Sequence, residues 1–150
     1  MTTIAYRDGK LAADTRCADT ELEQKYYRRK IRVLPDVAMA ESGEDDDIDR
    51  FVAWWKAGRP SPAPKIKRGN IGMIVVHPDL RVEIWLDCRY GMPITDDYCA
   101  SGSGGKIALG AMWMGADAGQ AVRAAMFHDL DTGGRVTICD VRKALKARKR

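Results

Sequence analysis

The N-terminal segment, residues 2–16, constrains the fold most strongly, because it has the pattern of a complete β-hairpin. Polar and apolar side chains alternate over residues 2–6, as they do in a strand with one buried face. The next residues, Asp8-Gly9, suit a two-residue hairpin turn, since both tolerate positive φ. Residues 10–13 then run back antiparallel. This pairing predicts that the Asp14 carboxylate lies beside the Thr2 end of the hairpin.

Thr2 is a candidate nucleophile. If Met1 is removed, Thr2 carries both a hydroxyl and a free α-amine whose ordinary pKa is about 8. Such an amine can accept the proton of the hydroxyl near neutral pH, which is how an N-terminal threonine is activated. A Thr-Thr-Ile sequence is more commonly just the beginning of a strand. The hairpin alone leaves both interpretations open.

The composition is typical of one globular domain, since 150 residues can bury about two-thirds of their unfolded surface in a single core. No apolar run approaches the roughly 20 residues that span a bilayer, and we expect no signal peptide and no membrane association. The cysteines (Cys17, Cys88, Cys99 and Cys139) form no C-x-x-C pair, and the chain has 2 histidines. We therefore expect reduced thiols in the cytoplasm, no metal site and no cofactor.

The net charge of +4 comes from the C-terminus, where residues 142–150 contain six basic residues and no acid. Without them, 19 basic and 21 acidic residues remain. This distribution predicts a domain over residues 1–141 followed by a solvated basic tail over residues 142–150. A basic tail can also contact nucleic acid, although a solvated terminus is its commoner role.

The rest of the chain shows strand and helix patterns in turn. Ile48, Phe51, Val52 and Trp55 form one apolar stripe, which predicts a helix that ends before Gly58 and Pro60. We predict a second hairpin over residues 71–86 and loops over residues 17–24 and 88–97. Further strands are predicted over residues 25–34, 37–40 and 135–139, and another begins at residue 98. Two more helices are predicted, one over residues 106–114 and one that begins at a capping box formed by Asp117 and Gln120. Antiparallel hairpins with helices in two places indicate an α+β layered architecture.

Two glycine-containing motifs lie in the C-terminal half. Ser101-Gly-Ser-Gly-Gly105 stands between a strand and a helix, where it could hold a phosphate, but it lacks the Lys-Ser/Thr ending of a P-loop. It is more often a tight turn. By itself, Asp129-Leu-Asp-Thr-Gly-Gly134 is as typical of a hairpin turn as of a functional motif.

These motifs, together with the Leu11–Arg16 segment and Lys30, resemble the proteasome β subunits and the HslV peptidase. These are N-terminal-nucleophile (Ntn) hydrolases, and the resemblance is to a short bacterial or phage-type member. The matching segments occur in the family's order and stand near both ends of the chain. The resemblance implies the four-layer αββα Ntn-hydrolase sandwich, truncated by one helix, because one short helix and a proline-rich connector stand where relatives have two long helices.

The resemblance also implies catalytic roles. Thr2 would attack a peptide carbonyl, Lys30 would lower the pKa of the Thr2 amine, and Asp14 would hold Lys30. The residues that would orient the amine are Ser103, Asp129 and Thr132.

The oxyanion hole is expected from the backbone after residue 40, and we assign it to Glu41 and Ser42. A carboxylate on Glu41 would then lie near a developing oxyanion, which would reduce catalytic efficiency.

The function implied is a cytoplasmic threonine-type endopeptidase. It would act on polypeptides as the proteolytic subunit of a homo-oligomeric ring, with an AAA+ unfoldase ATPase as a partner. The alternative is a catalytically inactive structural or interaction protein on the same fold, which retention of Met1 or a monomeric state would favour. A third interpretation is a nucleic-acid-binding module that acts through the basic tail.

Overall fold

The structure, a computed structural model, describes residues 2–19 and 24–148. The strands are β1 (Thr3–Arg7), β2 (Lys10–Asp14), β3 (Arg16–Asp19), β4 (Gln24–Tyr27), β5 (Ile31–Val33), β6 (Ala38–Gly43), β7 (Ile71–Val76), β8 (Val82–Trp85), β9 (Gly91–Ile94), β10 (Tyr98–Gly102) and β11 (Val136–Asp140). The helices are α1 (Asp45–Lys56), α2 (Gly105–Trp113), α3 (Ala118–His128) and α4 (Val141–Arg148).

Two antiparallel sheets form the middle of the molecule. The first sheet has the strand order β10-β1-β2-β11, and the second sheet has the order β5-β6-β7-β8-β9. Strands β3 and β4 form a separate two-stranded ribbon. Helix α1 packs on the outer face of the second sheet, and α2 and α3 pack on the outer face of the first. The layers are therefore αββα.

Three hydrophobic cores hold these layers together. Between the sheets, Ile4 and Leu11 meet residues of the second sheet such as Ile74. Under α1 the core is aromatic, with Phe51 at 5.7 Å from Trp85 between ring centroids. Under α2 and α3 it is built mainly of alanines, whose small side chains let both helices lie close to the sheet.

The N-terminal hairpin forms as predicted. Asp8 and Gly9 have φ values of 50° and 77°, the left-handed backbone that a two-residue hairpin turn requires. The predicted second hairpin, α1, α2 and α3 are also confirmed. The capping box is present, since Asp117 accepts from the Gln120 N–H and the Gln120 side chain accepts from the Asp117 N–H. In the described part of the chain, α1 is the one helix between β6 and β7, so the truncation is also confirmed.

Three segments differ from the prediction because strand pairing overrides local polarity. Residues 16–19 pair with residues 24–27 as β3 and β4, so β3 lies where we predicted a loop over residues 17–24; residues 20–23 lie outside the described residues. The strand predicted over residues 25–34 is interrupted at residues 28–30. Residues 91–94, predicted to be irregular, form β9 at the edge of the second sheet, a position that tolerates Pro93.

The C-terminal segment is a further correction. Residues 142–148, predicted as a solvated tail, belong to α4, whose Val141 and Leu145 are buried in the core between the sheets. These two side chains lie one helical turn apart and so share a face. This segment is therefore part of the packed domain. No helix in the described ranges has the length and apolarity to cross a membrane.

Candidate active site

The site is centred on the buried ammonium of Lys30. Its Nζ donates to Thr2 Oγ1 at 2.6 Å, to Asp14 Oδ1 at 2.9 Å and to the carbonyl oxygen of Arg16. Lys30 and Asp14 are both 0% exposed, and Thr2 is 7% exposed. A buried charge is tolerated when it is paired and its hydrogen-bonding groups are satisfied. Here the three protons of the ammonium have three acceptors.

Asp14 connects four parts of the chain. Besides the Lys30 ammonium, its Oδ1 accepts the Thr3 N–H at 3.0 Å, and its Oδ2 accepts the Gly133 N–H at 3.0 Å. The hairpin register brings Asp14 beside Thr3, as the sequence predicted. The carboxylate therefore fixes Lys30 and the loop after α3 relative to β1.

A second set of hydrogen bonds connects Asp129 with Ser103 and Thr132, and Thr132 with Thr3 of β1. Asp129 Oδ2 accepts from Ser103 Oγ at 2.6 Å and from Thr132 Oγ1 at 2.5 Å. Because Thr132 donates to Asp129, the Thr3 hydroxyl donates to Thr132 Oγ1, at 2.6 Å. Partial burial acts to raise the pKa of Asp129, but the hydrogen bonds from Ser103 and Thr132 outweigh it and lower that pKa. The Asp129 carboxylate is held ionised as an acceptor.

The glycine-rich segment after β10 holds the chain terminus. The Ser103 N–H donates to the Thr2 carbonyl at 2.9 Å. A Cβ on Gly102 would lie 1.8 Å from the same carbonyl oxygen, and one on Gly104 would lie 2.2 Å from Thr3 Oγ1. These glycines are required because the segment passes directly against the first residues of β1. This contact accounts for the motif without a phosphate.

Thr2 opens onto a cleft of about 970 Å³ between the first sheet and the entry of α1. Its wall includes Ser42, Gly43, Ser103 and residues of the β3–β4 ribbon. Carboxylates outnumber cations in this wall. The acids are Glu44, Asp45, Asp46, Asp47 and Asp131, and the cations are Arg28 and Arg50.

The oxyanion assignment to Glu41 is wrong. The Glu41 N–H donates to the Lys30 carbonyl at 2.9 Å and is not available to a substrate. Its carboxylate lies on the α1 side of the second sheet, where it pairs with Arg28 and Arg32. The carboxylate is therefore not near the position expected for an oxyanion.

The geometry of β6 also excludes Ser42 and leaves Gly43 as the candidate donor. Successive N–H groups of a strand point in opposite directions within the sheet. Because the Glu41 N–H is directed at the β5 side, alternation directs the Ser42 N–H at β7 and the Gly43 N–H away from β7, beyond the last paired residue of β5. Gly43 also lines the cleft. Gly43 has φ 119°, and a Cβ there would lie 2.0 Å from the Asn70 carbonyl oxygen.

The structure brings all six predicted side chains into one region, although they come from distant parts of the chain. These are Thr2, Asp14, Lys30, Ser103, Asp129 and Thr132. The sequence analysis missed Thr3, Gly43 and Arg16, whose Nη2 donates to the Thr132 carbonyl at 2.9 Å. The sequence did indicate Gly43, because it is a glycine that stands directly before the acidic residues at the start of α1. Within the described ranges, no group of three His, Cys, Asp or Glu side chains could hold a metal ion.

Comparisons with known proteins identify the fold. No family model matches the chain, and no curated protein matches it. Among solved structures, BPH of Thiobacillus denitrificans has a TM-score of 0.67 and 18% identity, over 92% of this chain and 95% of that chain. The same protein in complex with epoxomicin has a TM-score of 0.64 and 19% identity, over 92% and 96%. HslV from Trypanosoma brucei has a TM-score of 0.66 and 18% identity, over 92% and 97%. The predicted αββα Ntn-hydrolase sandwich of the HslV and proteasome β type is confirmed.

Proposed function

We propose that the chain, which has the HslV and proteasome β fold, is a threonine-type endopeptidase with the Thr2 hydroxyl as its nucleophile. The observation that carries the proposal is the 2.6 Å hydrogen bond from the buried Lys30 ammonium to Thr2 Oγ1. A buried cation in this position stabilises negative charge on the oxygen as it attacks. The same cation lowers the pKa of a neighbouring amine, which keeps that amine neutral and able to accept a proton.

The reaction would proceed in two steps. After removal of Met1, the Thr2 hydroxyl attacks the substrate carbonyl, and its proton passes to the Thr2 α-amine. The Gly43 N–H donates to the oxyanion, and the amine then protonates the leaving nitrogen as the peptide bond breaks. A water molecule, deprotonated by the same amine, hydrolyses the resulting ester and restores Thr2.

The supporting residues position this machinery. Asp14 holds the ammonium of Lys30, and Ser103 fixes the Thr2 carbonyl through its N–H. Asp129 and Thr132 form the wall beside Thr3, and the resemblance assigns them, with Ser103, to the orientation of the Thr2 amine.

We further propose a homo-oligomeric ring that acts on polypeptides, with an AAA+ unfoldase as partner, in the cytoplasm. The similarity in fold to HslV supports the ring, and the sequence resemblance implies the partner. The four cysteines, all free, support a reducing compartment. Burial raises the pKa of Cys99 to about 12, and burial, followed by the charge of Asp87, raises the pKa of Cys88 to about 11. Both thiols therefore stay protonated.

The test is hydrolysis of fluorogenic peptides by protein whose first residue has been verified as Thr2 by intact mass. Peptides with basic side chains are the first choice, because carboxylates predominate in the cleft. We expect Thr2→Ala to abolish hydrolysis, Thr2→Ser to retain part of it, and Lys30→Met to reduce it by roughly 10² or more. Thr95→Ala, which removes an exposed hydroxyl elsewhere, is the control and should leave the rate unchanged.

Two further arms make the test decisive. Protein that keeps Met1 should be as inactive as Thr2→Ala, because a peptide nitrogen has no usable lone pair. Epoxomicin, which BPH binds, should block hydrolysis. Full activity of Thr2→Ala would exclude the mechanism. Verified wild-type protein without activity on any peptide would instead favour the catalytically inactive alternative.

A further inference from the structure

One carboxylate at the start of α1 joins the two walls of the cleft that Thr2 lines. Asp45 Oδ2 accepts from the Tyr26 hydroxyl at 2.6 Å, and Asp45 Oδ1 accepts from Arg28 Nη2 at 2.6 Å. Tyr26 belongs to the β3–β4 ribbon, and Arg28 follows the ribbon directly. Because the ribbon pairs with neither main sheet, its distance from α1 depends on side-chain bonds such as these. The three residues form a clasp across the cleft.

The clasp has a fixed end and a releasable end. Arg28 is fixed, because its N–H donates to the Thr15 carbonyl at 2.9 Å and its guanidinium pairs with the Glu41 carboxylate, which is 0% exposed. The side chain of Asp45, in contrast, is 48% exposed. Bonds to an exposed carboxylate are weak and exchange easily with those of competing ions. The bonds to Asp45 are therefore the ones that can open while Arg28 stays on Glu41.

The nucleophile is almost covered while the clasp is closed. Thr2 lines the cleft of about 970 Å³, yet it is 7% exposed. Cys17 lies directly opposite Tyr26 in the ribbon, lines the same cleft and is also 7% exposed. Side chains that are directly opposite in an antiparallel pair lie on the same face. Movement of the ribbon away from Asp45 therefore exposes the Cys17 thiol as well.

We propose that the clasp holds the β3–β4 ribbon against α1 over Thr2, and that a cationic side chain of the substrate opens it by replacing Tyr26 on Asp45. This inference rests on the peptidase function proposed above and describes how that site admits its substrate. A charged donor binds a carboxylate more strongly than a neutral hydroxyl does. A lysine or arginine of the substrate thus compensates for the bond it breaks. A neutral peptide has to break the same bond without a replacement.

The experiment measures how fast a maleimide labels Cys17 in the full chain, with the labelled cysteines identified by peptide mapping. All proteins carry Thr2→Ala, so that no result depends on hydrolysis. We expect Asp45→Ala to raise the labelling rate by about tenfold or more and Tyr26→Phe by about threefold or more, since each removes a charge-assisted hydrogen bond. Asp46→Ala is the matched control. It removes the neighbouring acid of the same first turn, which makes no side-chain bond to the ribbon in the described part of the chain, and should change the rate by less than about twofold.

Two buried thiols show whether a variant has opened locally or unfolded. Cys88 lies in the core under α1 and Cys99 in the core between the sheets, and each is 4% exposed. Their labelling should stay as slow in Asp45→Ala as in the parent protein. Arginine amide tests the cationic opener. It should speed Cys17 labelling of the parent protein more than NaCl of the same ionic strength does, and it should have no such effect on Asp45→Ala.

Peptide hydrolysis tests the clasp in protein that keeps Thr2. The protein should cleave a lysine-containing peptide with a kcat/KM about tenfold or more above that for the methionine analogue. Asp45→Ala should reduce this preference mainly by speeding cleavage of the methionine peptide, whereas Asp46→Ala should keep the preference.

The outcomes separate this inference from the peptidase proposal. Cys17 labelling that is equally fast in Asp45→Ala and in the parent protein would overturn the clasp, whether or not any peptide is cleaved. An equal effect of Asp46→Ala would overturn the role of Asp45, and arginine amide no better than NaCl would overturn the cationic opener. Faster labelling of Asp45→Ala together with no hydrolysis by verified wild-type protein would support the clasp and count against the peptidase.

Discussion

Gly43 illustrates how one residue can be fixed both by backbone conformation and by its place at the cleft. Its φ of 119° is unfavourable for residues with a side chain, and the Asn70 carbonyl occupies the position of a Cβ. The residue ends β6 and lines the same cleft as Thr2.

We predict that Gly43→Ala lowers the free energy of unfolding by more than the roughly 1–3 kcal/mol of backbone strain alone, and that it abolishes hydrolysis. Gly58→Ala is the matched control, because Gly58 also has a positive φ (81°) but no described atom lies within 4 Å of its Cβ position. The Gly58→Ala variant should lose only the free energy of unfolding that the backbone strain costs, and it should keep its activity. Urea unfolding and the peptide assay measure both effects. Equal losses in the two variants would show that the contact with Asn70 is unimportant.

For single residues, the sequence indicated the side chains of the site better than it indicated the backbone N–H donors. Thr2 and Asp14 could be placed together because the Asp8-Gly9 turn fixes the register of the hairpin. The oxyanion donor could not be placed, since it depends on which N–H groups β5 and β7 use and on where β6 ends. Strand β6 continues to Gly43, and α1 begins only at Asp45.

Helix α4 shows at the level of elements how a few apolar positions decide where a segment packs. Residues 141–148 are dominated by basic side chains, and the two apolar anchors, Val141 and Leu145, form only one short contact face. A pattern of two residues is too short to be distinguished from chance in the sequence. Segments β3 and β9 were missed for a related reason, because their partners and not their own residues define them.

We predict that Leu145→Ala destabilises the fold by about 2–5 kcal/mol, because Leu145 is 3% exposed in the core between the sheets. Lys146→Ala, an exposed neighbour on the same helix, should change the stability by less than about 0.5 kcal/mol. Thermal or urea unfolding of the two variants decides the matter. A Leu145→Ala protein as stable as the Lys146→Ala control would mean that α4 does not contribute to the core.

For the whole molecule, the layer order was predictable, whereas the polar cross-links between layers were not. Alternating apolar patterns and the helix stripes were sufficient for an α+β layered architecture, and the family resemblance implied the αββα order. The pairing of Glu41 with Arg28 and Arg32 follows only once the second sheet and α1 are in place.

Stability should depend on pH through carboxylates whose pKa is lowered in the folded state. Hydrogen bonds from Arg89 lower the pKa of Asp87 despite burial, and the hydroxyls of Ser103 and Thr132 lower that of Asp129 against the effect of burial. A lowered folded pKa contributes stability above the ordinary value near 4, and this stability is lost as the pH falls through the folded pKa.

We therefore predict a free energy of unfolding that is constant above about pH 5 and decreases below about pH 4. Asp129→Asn should reduce this decrease, whereas Thr95→Ala, which removes an exposed hydroxyl, should not. Urea unfolding at several pH values measures the free energy of unfolding of each variant. A stability that rises on acidification would contradict the assignment.

The contacts of Gly133 also have a consequence for biosynthesis. The Gly133 N–H donates to Asp14, and its carbonyl accepts from Thr15 and Arg16, so the N-terminal hairpin is completed by a residue that lies 119 positions after Asp14 in the chain. Until synthesis has passed Gly133, Lys30 and Asp14 lack this closing segment, and the surroundings of Thr2 are not assembled. A nascent chain of this kind therefore keeps the site incomplete until more than a hundred further residues have been made.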